Sequence, residues 1–393
     1  MIFNTAWFWP FLVLTLVMLR LIPSKCRPWV ALAACLTFHY HYAGPAGMAP
    51  ILALGSIVYC LTVFFEHPPR RLKAMPKQLI AGIVLCTGTL VYVKYRTYLA
   101  SLLHYDWKSS AIPLGISFFT FEFIHYLVEI SHGGKPIRSP RNFALFTVFF
   151  PSLVAGPIKR YSDFVPQIEK KTAFTPSSSS IVVGGTRLLV GAGKKIILAD
   201  PLATFCDQLH AKISQGTTGS GASWLLVAAL TARIYMDFSG YSDMAIGAAR
   251  MLNIRIPENF NWPYAAKSLQ DFWRRWHISL STWIRDYLYI PLGGSKVSST
   301  RRAFNFFLAF GLCGLWHGAA THFVAWGLWH GGGLAAERAV RGAPAMSRIS
   351  TPRLNWINWA STFLFVSIGW LLFFYPVTEA TSIAASLVGW RIP

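Results

Sequence analysis

Two histidines in this chain each follow a tryptophan, Trp276-His277 and Trp316-His317. Imidazole titrates near neutral pH and is the commonest general base, worth about 10²–10⁴-fold in rate. His277 lies in the run Gln270–Gly294, which reads QDFWRRWHISLSTWIRDYLYIPLGG. That run also supplies Arg274, Arg275 and Asp271, with Trp276 and Trp283 among its aromatic residues. Imidazole beside guanidinium groups can deprotonate a hydroxyl or thiol while the cations hold an anionic donor. His317 closes the apolar run Phe304–Trp316, and Trp329-His330 repeats its motif thirteen residues later. On pattern alone His317 and His330 are nearly indistinguishable.

Other chemistries find no residues to carry them. The sequence has no G-x-S-x-G elbow, no H-E-x-x-H, no Cys/His cluster and no Walker lysine loop. The six cysteines include no C-x-x-C, and Cys35, Cys60, Cys86 and Cys313 sit inside apolar runs. Reduced buried thiols, no disulfide framework and no metal are therefore expected.

The histidines need elements to hold them. From Ser268, residues Leu269, Phe272, Trp273, Trp276, Leu280 and Trp283 recur at three- and four-residue spacing. This predicts one amphipathic helix with His277 beside its apolar face. The helix is too charged to face lipid. It reads either as an interfacial anchor of Trp and Arg at headgroup level or as the wall of a polar funnel.

The surroundings are made for lipid. Of 393 residues, 54% are hydrophobic and 13% charged, against about a quarter charged in soluble domains. Mean hydropathy is +0.42. Apolar runs cover Trp7–Ile22, Trp29–Tyr42, Ile51–Phe65, Leu79–Val93, Ile112–Ile130, Trp224–Met236, Ala303–Leu315 and Trp356–Phe374. Several approach the roughly 17–25 residues that cross a bilayer. The fold class is an all-α polytopic membrane protein, and the strand pattern of a barrel is absent. An ionisable group at membrane depth is costly, so the histidines mark a functional site by default.

The net charge of +21 does not indicate nucleic acid, because Lys and Arg fall in short loops between apolar runs. Arg20, Lys25 and Arg27 follow the first run; Arg70, Arg71, Lys73 and Lys77 the third; Lys135, Arg138 and Arg141 the fifth. The positive-inside rule makes these loops cytoplasmic. The N-terminus, the Tyr42–Ala49 turn and the Leu99–Ser110 loop then lie outside. No basic n-region or A-x-A site accompanies the first run, which reads as an uncleaved span.

Phe143–Pro157 is short and flanked by basic residues on both sides. It reads as a re-entrant or interfacial segment lining a cytoplasm-facing cavity, the alternative being a span that breaks the charge rule. Ile181–Leu198, interrupted by Arg187, Lys194 and Lys195, reads at best as an interfacial helix. Trp224–Met251 predicts a long helix with Arg233 and Asp237 at i, i+4, a spacing that can pair them, and with a break or kink at Phe238–Asp243. No composition shift marks a second domain. Residues 1–130 form N-terminal spans, 131–223 re-entrant and interfacial segments, 224–336 the catalytic core, and 337–393 a C-terminal span and tail.

With these motifs in view, the chain resembles the membrane-bound O-acyltransferase family. The likeness rests on PLGISFFTF (Pro113–Phe121), FFPSLVAGPIKR (Phe149–Arg160), DFSGYSDMAIG (Asp237–Gly247), NFNWPY (Asn259–Tyr264), Phe272–Gly294 and GLWHGA (Gly314–Ala319). It covers most of the chain to about Ala336. Within the family the chain looks like the branch of the bacterial alginate O-acetyltransferase membrane subunit. The D-alanyl transfer protein of teichoic acid synthesis is more distant.

The resemblance implies that His317 is the essential histidine, with His277 supporting. Trp316, Trp276, Arg274, Arg275, Asp271 and Trp283 are candidate funnel residues around them. It implies a ring of about 9–12 transmembrane helices, with re-entrant and interfacial helices, around a central funnel. The donor it implies is a cytoplasmic thioester, acetyl-CoA, with an acyl carrier protein as the other candidate. The acyl group would cross the bacterial inner membrane to a separate extracytoplasmic SGNH-type acyltransferase that acetylates a polysaccharide. The family's extra spans after the catalytic region are not matched here, so docking features of that region are not carried over. A transporter or flippase without bond chemistry is the competing class. The acceptor stays open among alginate, cellulose, peptidoglycan and other glycans.

Overall fold

The computed structural model describes residues 2–64, 75–105, 112–341 and 352–390. Arg70, Arg71 and Lys73, and the end of the Leu99–Ser110 loop from residue 106, lie outside the described residues. Among those residues every regular element is a helix. Three helical stretches, Arg27–Val63, Lys77–Ser101 and Asn355–Phe374, are long and apolar enough to cross a membrane. The chain is an all-α, multi-pass membrane protein. Val84 and Leu85 on the second of these, and Val13, Leu14 and Val17 on the shorter apolar helix Phe8–Leu21, are exposed, as residues facing hydrocarbon are.

The chain divides into two compact units. The first comprises Met1–Ala192 and Tyr241–Glu258. Its Arg27–Val63 helical stretch has 37 residues, about 55 Å at 1.5 Å per residue and well beyond one bilayer core. It breaks at Gly44, where φ is +63° and Pro45 follows. Glycine takes positive φ without a Cβ clash, and proline removes the next N–H donor. The turn expected at Tyr42–Ala49 is this break.

Pro140–Val148 has nine residues, about 13 Å of helix, which is too short to cross. One 3-10 turn at Phe150–Ser152 and then irregular backbone follow, with Phe149, Phe150 and Leu153 buried. Lys159 anchors its end, donating to Glu122 at 2.5 Å with both side chains at most 4% exposed. Phe146 and Phe164 lie within 5.5 Å of the ammonium. Backbone without helical bonds persists at membrane depth when protein surrounds it.

Three sequence expectations need correction. Ser178–Gly193, Lys194–Ala199 and Asp200–Ser214 follow without a gap as α, π and α helix, so the charges expected to interrupt Ile181–Leu198 do not break the helix. Two of the charges in that run do not interrupt it because they are partnered. Within the first unit Arg187 bonds Asp243 and Glu258. Within the second, Lys195 sits 2.6 Å from both Asp200 and Asp237. The predicted Arg233–Asp237 pair does not form, since Arg233 reaches Asp207 at 3.4 Å instead. Inter-helix partners won over the i, i+4 neighbour. Finally, Ser220–Met251 is one 32-residue helix with no break at Phe238–Asp243. Burial of Ser239 and Ser242 holds small polar residues in helical geometry that propensity alone would weaken.

The second unit comprises Gly193–Gly240 and Asn259–Pro393. Its centre is an antiparallel hairpin of Ser299–His317 and Thr321–Arg341. An added Cβ on Gly314 would lie 2.0 Å from the Phe323 carbonyl oxygen, and one on Gly327 2.0 Å from that of Phe310. The two backbones are therefore in contact, as small residues permit between membrane helices.

Candidate active site

The segment from Ser268 is not one helix. Ser268 caps Leu269–Arg275 by accepting from the Asp271 amide at 2.9 Å. The chain then turns extended at Trp276 and left-handed at His277, with φ 42° and ψ 55°, before Ile278–Ile284 resumes. A non-glycine residue held left-handed costs about 1–3 kcal/mol and persists only where its surroundings impose it.

Those surroundings are Asn259–Asn261. The Asn259 carbonyl accepts from the Ile278 amide, and the Asn261 amide donates to the Arg275 carbonyl, both at 2.9 Å. These bonds satisfy backbone groups orphaned where one helix ends and the next begins. Asn259 Oδ1 accepts from the Ser279 amide at 3.3 Å and the Ser279 hydroxyl at 2.8 Å, and it faces His277 Nδ1 at 3.1 Å. An amide N–H only donates, so this atom is the acceptor and His277 Nδ1 carries the proton. The lone pair of the neutral ring is then on Nε2. Nε2 is buried and has no hydrogen-bond partner among the described residues.

His317 is the last residue of its helix, half-buried, with Gly318 extended after it. Its ring meets Trp316, Trp326 and Phe373 at centroid distances of 4.8, 5.1 and 5.2 Å. Trp316 also stands 6.3 Å from the His277 ring. The two histidines expected to do chemistry thus share one tryptophan between them. His330 lies a few turns into the next helix, fully buried among rings of Trp273, Trp326 and Phe365.

A cavity of about 570 Å³ opens between the 269–289 segment and the hairpin. Arg274, Arg285, Arg302 and Arg338 line it, with Glu337 the one carboxylate. Trp273, Phe306, Phe310 and Leu334 give it an apolar wall. Guanidinium groups over an apolar wall suit an anion with an organic body.

The other sequence candidates are dispersed. Arg274 lines the cavity. Arg275 and Asp271 pair with each other at 2.9 Å. Trp276 is packed against Phe260 and Trp370 at 5.0 and 4.9 Å. Trp283 packs on Tyr287 at 5.4 Å. Sequence reasoning named Asn259 only as part of the NFNWPY likeness motif and missed its role, because it stands eighteen residues before the histidine it holds with no periodicity to link them. It also missed Arg302 and Arg338. These two stand equally far from the turn near residues 319–320, which is how an antiparallel hairpin brings positions together. Among the described residues no group of three or more His, Cys, Asp or Glu is placed to hold a metal ion.

The model of the membrane-bound O-acyltransferase family matches residues 74–378. This chain belongs to the membrane-bound O-acyltransferase family. It is 43% identical over 314 residues to the probable alginate O-acetylase AlgI of Pseudomonas aeruginosa, covering 77% of this chain and 58% of the relative. It is 34% identical over 354 residues to the peptidoglycan O-acetyltransferase of Helicobacter pylori, covering 82% and 66%. It is 33% identical over 226 residues to the teichoic acid D-alanyltransferase of Bacillus subtilis, covering 55% and 56%. The chain thus spans between about half and two thirds of these relatives' lengths. In this member of the membrane-bound O-acyltransferase family, the histidine cluster, the cavity and the hairpin joining them all fall within the matched region.

Proposed function

We propose that this protein is a membrane O-acetyltransferase. It takes an acetyl group from a cytoplasmic thioester and delivers it for O-acetylation of an extracytoplasmic polysaccharide, with a separate SGNH-type acyltransferase as partner. The inner membrane is its location, with the N-terminus extracytoplasmic. The observation that carries the reading is the hairpin. One end bears Arg302 and Arg338 in an arginine-lined cavity, and the other bears His317. Along the helix, Arg302 and His317 are about 22 Å apart at 1.5 Å per residue. A donor with an anionic head and an extended arm fits that separation.

In the reaction the acetyl–sulfur bond breaks as an acetyl–oxygen bond forms. His317 takes the proton from the attacking hydroxyl and returns it to the departing thiolate. His277 supports it by accepting a hydrogen bond through its bare Nε2. The rings around both imidazoles exclude water that would hydrolyse the thioester. The names of the relatives, which speak of O-acetylation of alginate and of peptidoglycan, support a glycan acceptor.

The test uses protein in lipid nanodiscs with labelled acetyl-CoA and labelled acetyl acyl carrier protein. It is paired with mass spectrometry of extracytoplasmic glycans from cells with and without the chain. Label transfer, and acetylated glycan only with the chain, are expected. Movement of substrate with no cleavage of either thioester would replace this reading with a transporter. If acetyl-CoA is the donor, Arg302→Gln with Arg338→Gln should raise its KM by about tenfold or more, since charge-assisted hydrogen bonds are worth about 1.5–3 kcal/mol each. The turnover number should stay near the wild-type value, and the effect should shrink as salt rises.

A further inference from the structure

Between the cavity and His317 stand three rings whose polar atoms go unused. Trp273, Trp326 and His330 contact one another at centroid distances of 5.9, 5.1 and 5.0 Å. All three are at most 7% exposed. The indole Nε1 of Trp273, that of Trp326 and both ring nitrogens of His330 are buried without a hydrogen-bond partner among the described residues. A buried donor or acceptor left unmade costs about 1–3 kcal/mol. Native interiors hold few such atoms, so four in one ring cluster call for an explanation. Packing alone does not call for ring nitrogens, since an apolar side chain fills core volume without that cost.

Their position supplies the explanation. Trp273 lines the arginine-bearing cavity. Trp326 packs on His317 at 5.1 Å. The cluster therefore spans the distance that a donor entering by the cavity must cover to reach His317. Its chemistry is also selective. Each indole N–H only donates, so it seeks a carbonyl oxygen. Neutral imidazole offers one donor and one acceptor, so it suits a group bearing both C=O and N–H. A flexible chain of secondary amides ending in a thioester supplies both along its length.

We infer that Trp273, Trp326 and His330 form the inner binding wall for the amide-bearing arm of the thioester donor. The arm displaces ring contacts on entry and takes up the unused nitrogens, which fixes its carbonyls and delivers the thioester to His317. The inference rests on the acetyl-transfer reading above and adds the residues that recognise the arm.

The experiment measures acetyl transfer by nanodisc protein from three probes: acetyl-CoA, S-acetylpantetheine and the amide-free S-acetyl-2-mercaptoethanol. His330→Phe keeps an aromatic ring and removes both nitrogens. It should raise KM by about tenfold for the two amide-bearing probes, the effect of one to two hydrogen bonds, and clearly less for the amide-free one. Trp273→Phe, which removes one N–H, should show the same split, and it decides the matter if His330→Phe does not purify as a monodisperse protein. Acetyl acyl carrier protein, run as a fourth arm, identifies which carrier brings the chain of amides. Equal fold-changes for amide-bearing and amide-free probes would overturn the inference while leaving acetyl transfer intact. Absence of transfer from every thioester by wild-type protein would instead reject the function on which it rests.

Discussion

Replacing His317 with alanine is expected to lower acetyl transfer by about 10²–10⁴-fold, the usual worth of a positioned general base. The protein should fold and purify as before. His317 ends its helix half-buried, so truncation leaves no enclosed cavity in a packed core. KM for the thioester should change little, because the arginines that would hold the donor's head are untouched. His277→Ala should reduce turnover less, and Asn259 predicts how. Asn259→Leu removes the acceptor that keeps the proton on Nδ1, freeing the ring to present Nε2–H in place of a lone pair. Asn259→Asp keeps an acceptor there and should recover much of the lost rate. It should also shift the pH–rate profile, because a carboxylate favours the charged imidazole. Wild-type turnover in His317→Ala would remove this residue from the chemistry.

Much of the chain was legible because hydrophobic burial leaves a strong one-dimensional trace. The apolar runs before and after Tyr42–Ala49 were legible from their lengths, and the structural break at Gly44 falls in the turn expected between them. That Phe143–Pro157 holds no spanning helix was legible from the shortness of the run, since its helix ends at Val148. What failed to show were features decided by a second helix. Arg187 and Lys195 looked like interruptions because their partners, Asp243 and Asp237, come some forty to sixty residues later. Arg233 and Asp237 looked like a pair because spacing cannot reveal that Asp207 and Lys195 compete for them. The same limit applies at the site. The residue types announced His277 and His317. The left-handed turn at His277 did not appear in the pattern, because the apolar spacing continues in step across it from Phe272 to Leu280. The bonds from Asn259 and Asn261 explain why one predicted helix is two. The cavity arginines were invisible for a different reason, since Arg302 and Arg338 meet only once the hairpin closes.

That closure is the second feature on which a large effect is expected. Gly314→Val should prevent the native hairpin from forming, and even Gly314→Ala should be severely destabilising. The added Cβ would sit 2.0 Å from the Phe323 carbonyl oxygen and 2.9 Å from its carbon. Both are backbone atoms, so no side-chain rotation relieves the clash, and the helices must part by an ångström or more. Overpacking ordinarily costs about 1–3 kcal/mol where side chains can shift, and here none can. Gly327 faces the same obstacle from Phe310, so one separation disrupts both contacts. Gly88→Ala is the matched control, because nothing lies within 4 Å of its added Cβ. Alanine there should be neutral or stabilising by up to about 1 kcal/mol, the helix-propensity gain over glycine. Thermal unfolding in detergent, followed by the fraction of monodisperse protein, checks both. Unchanged unfolding of Gly314→Ala would mean that the helices do not meet backbone to backbone. If the contact is as described, loss of stability and loss of acetyl transfer should come together at Gly314, because one hairpin sets the positions of Arg302, Arg338 and His317 at once.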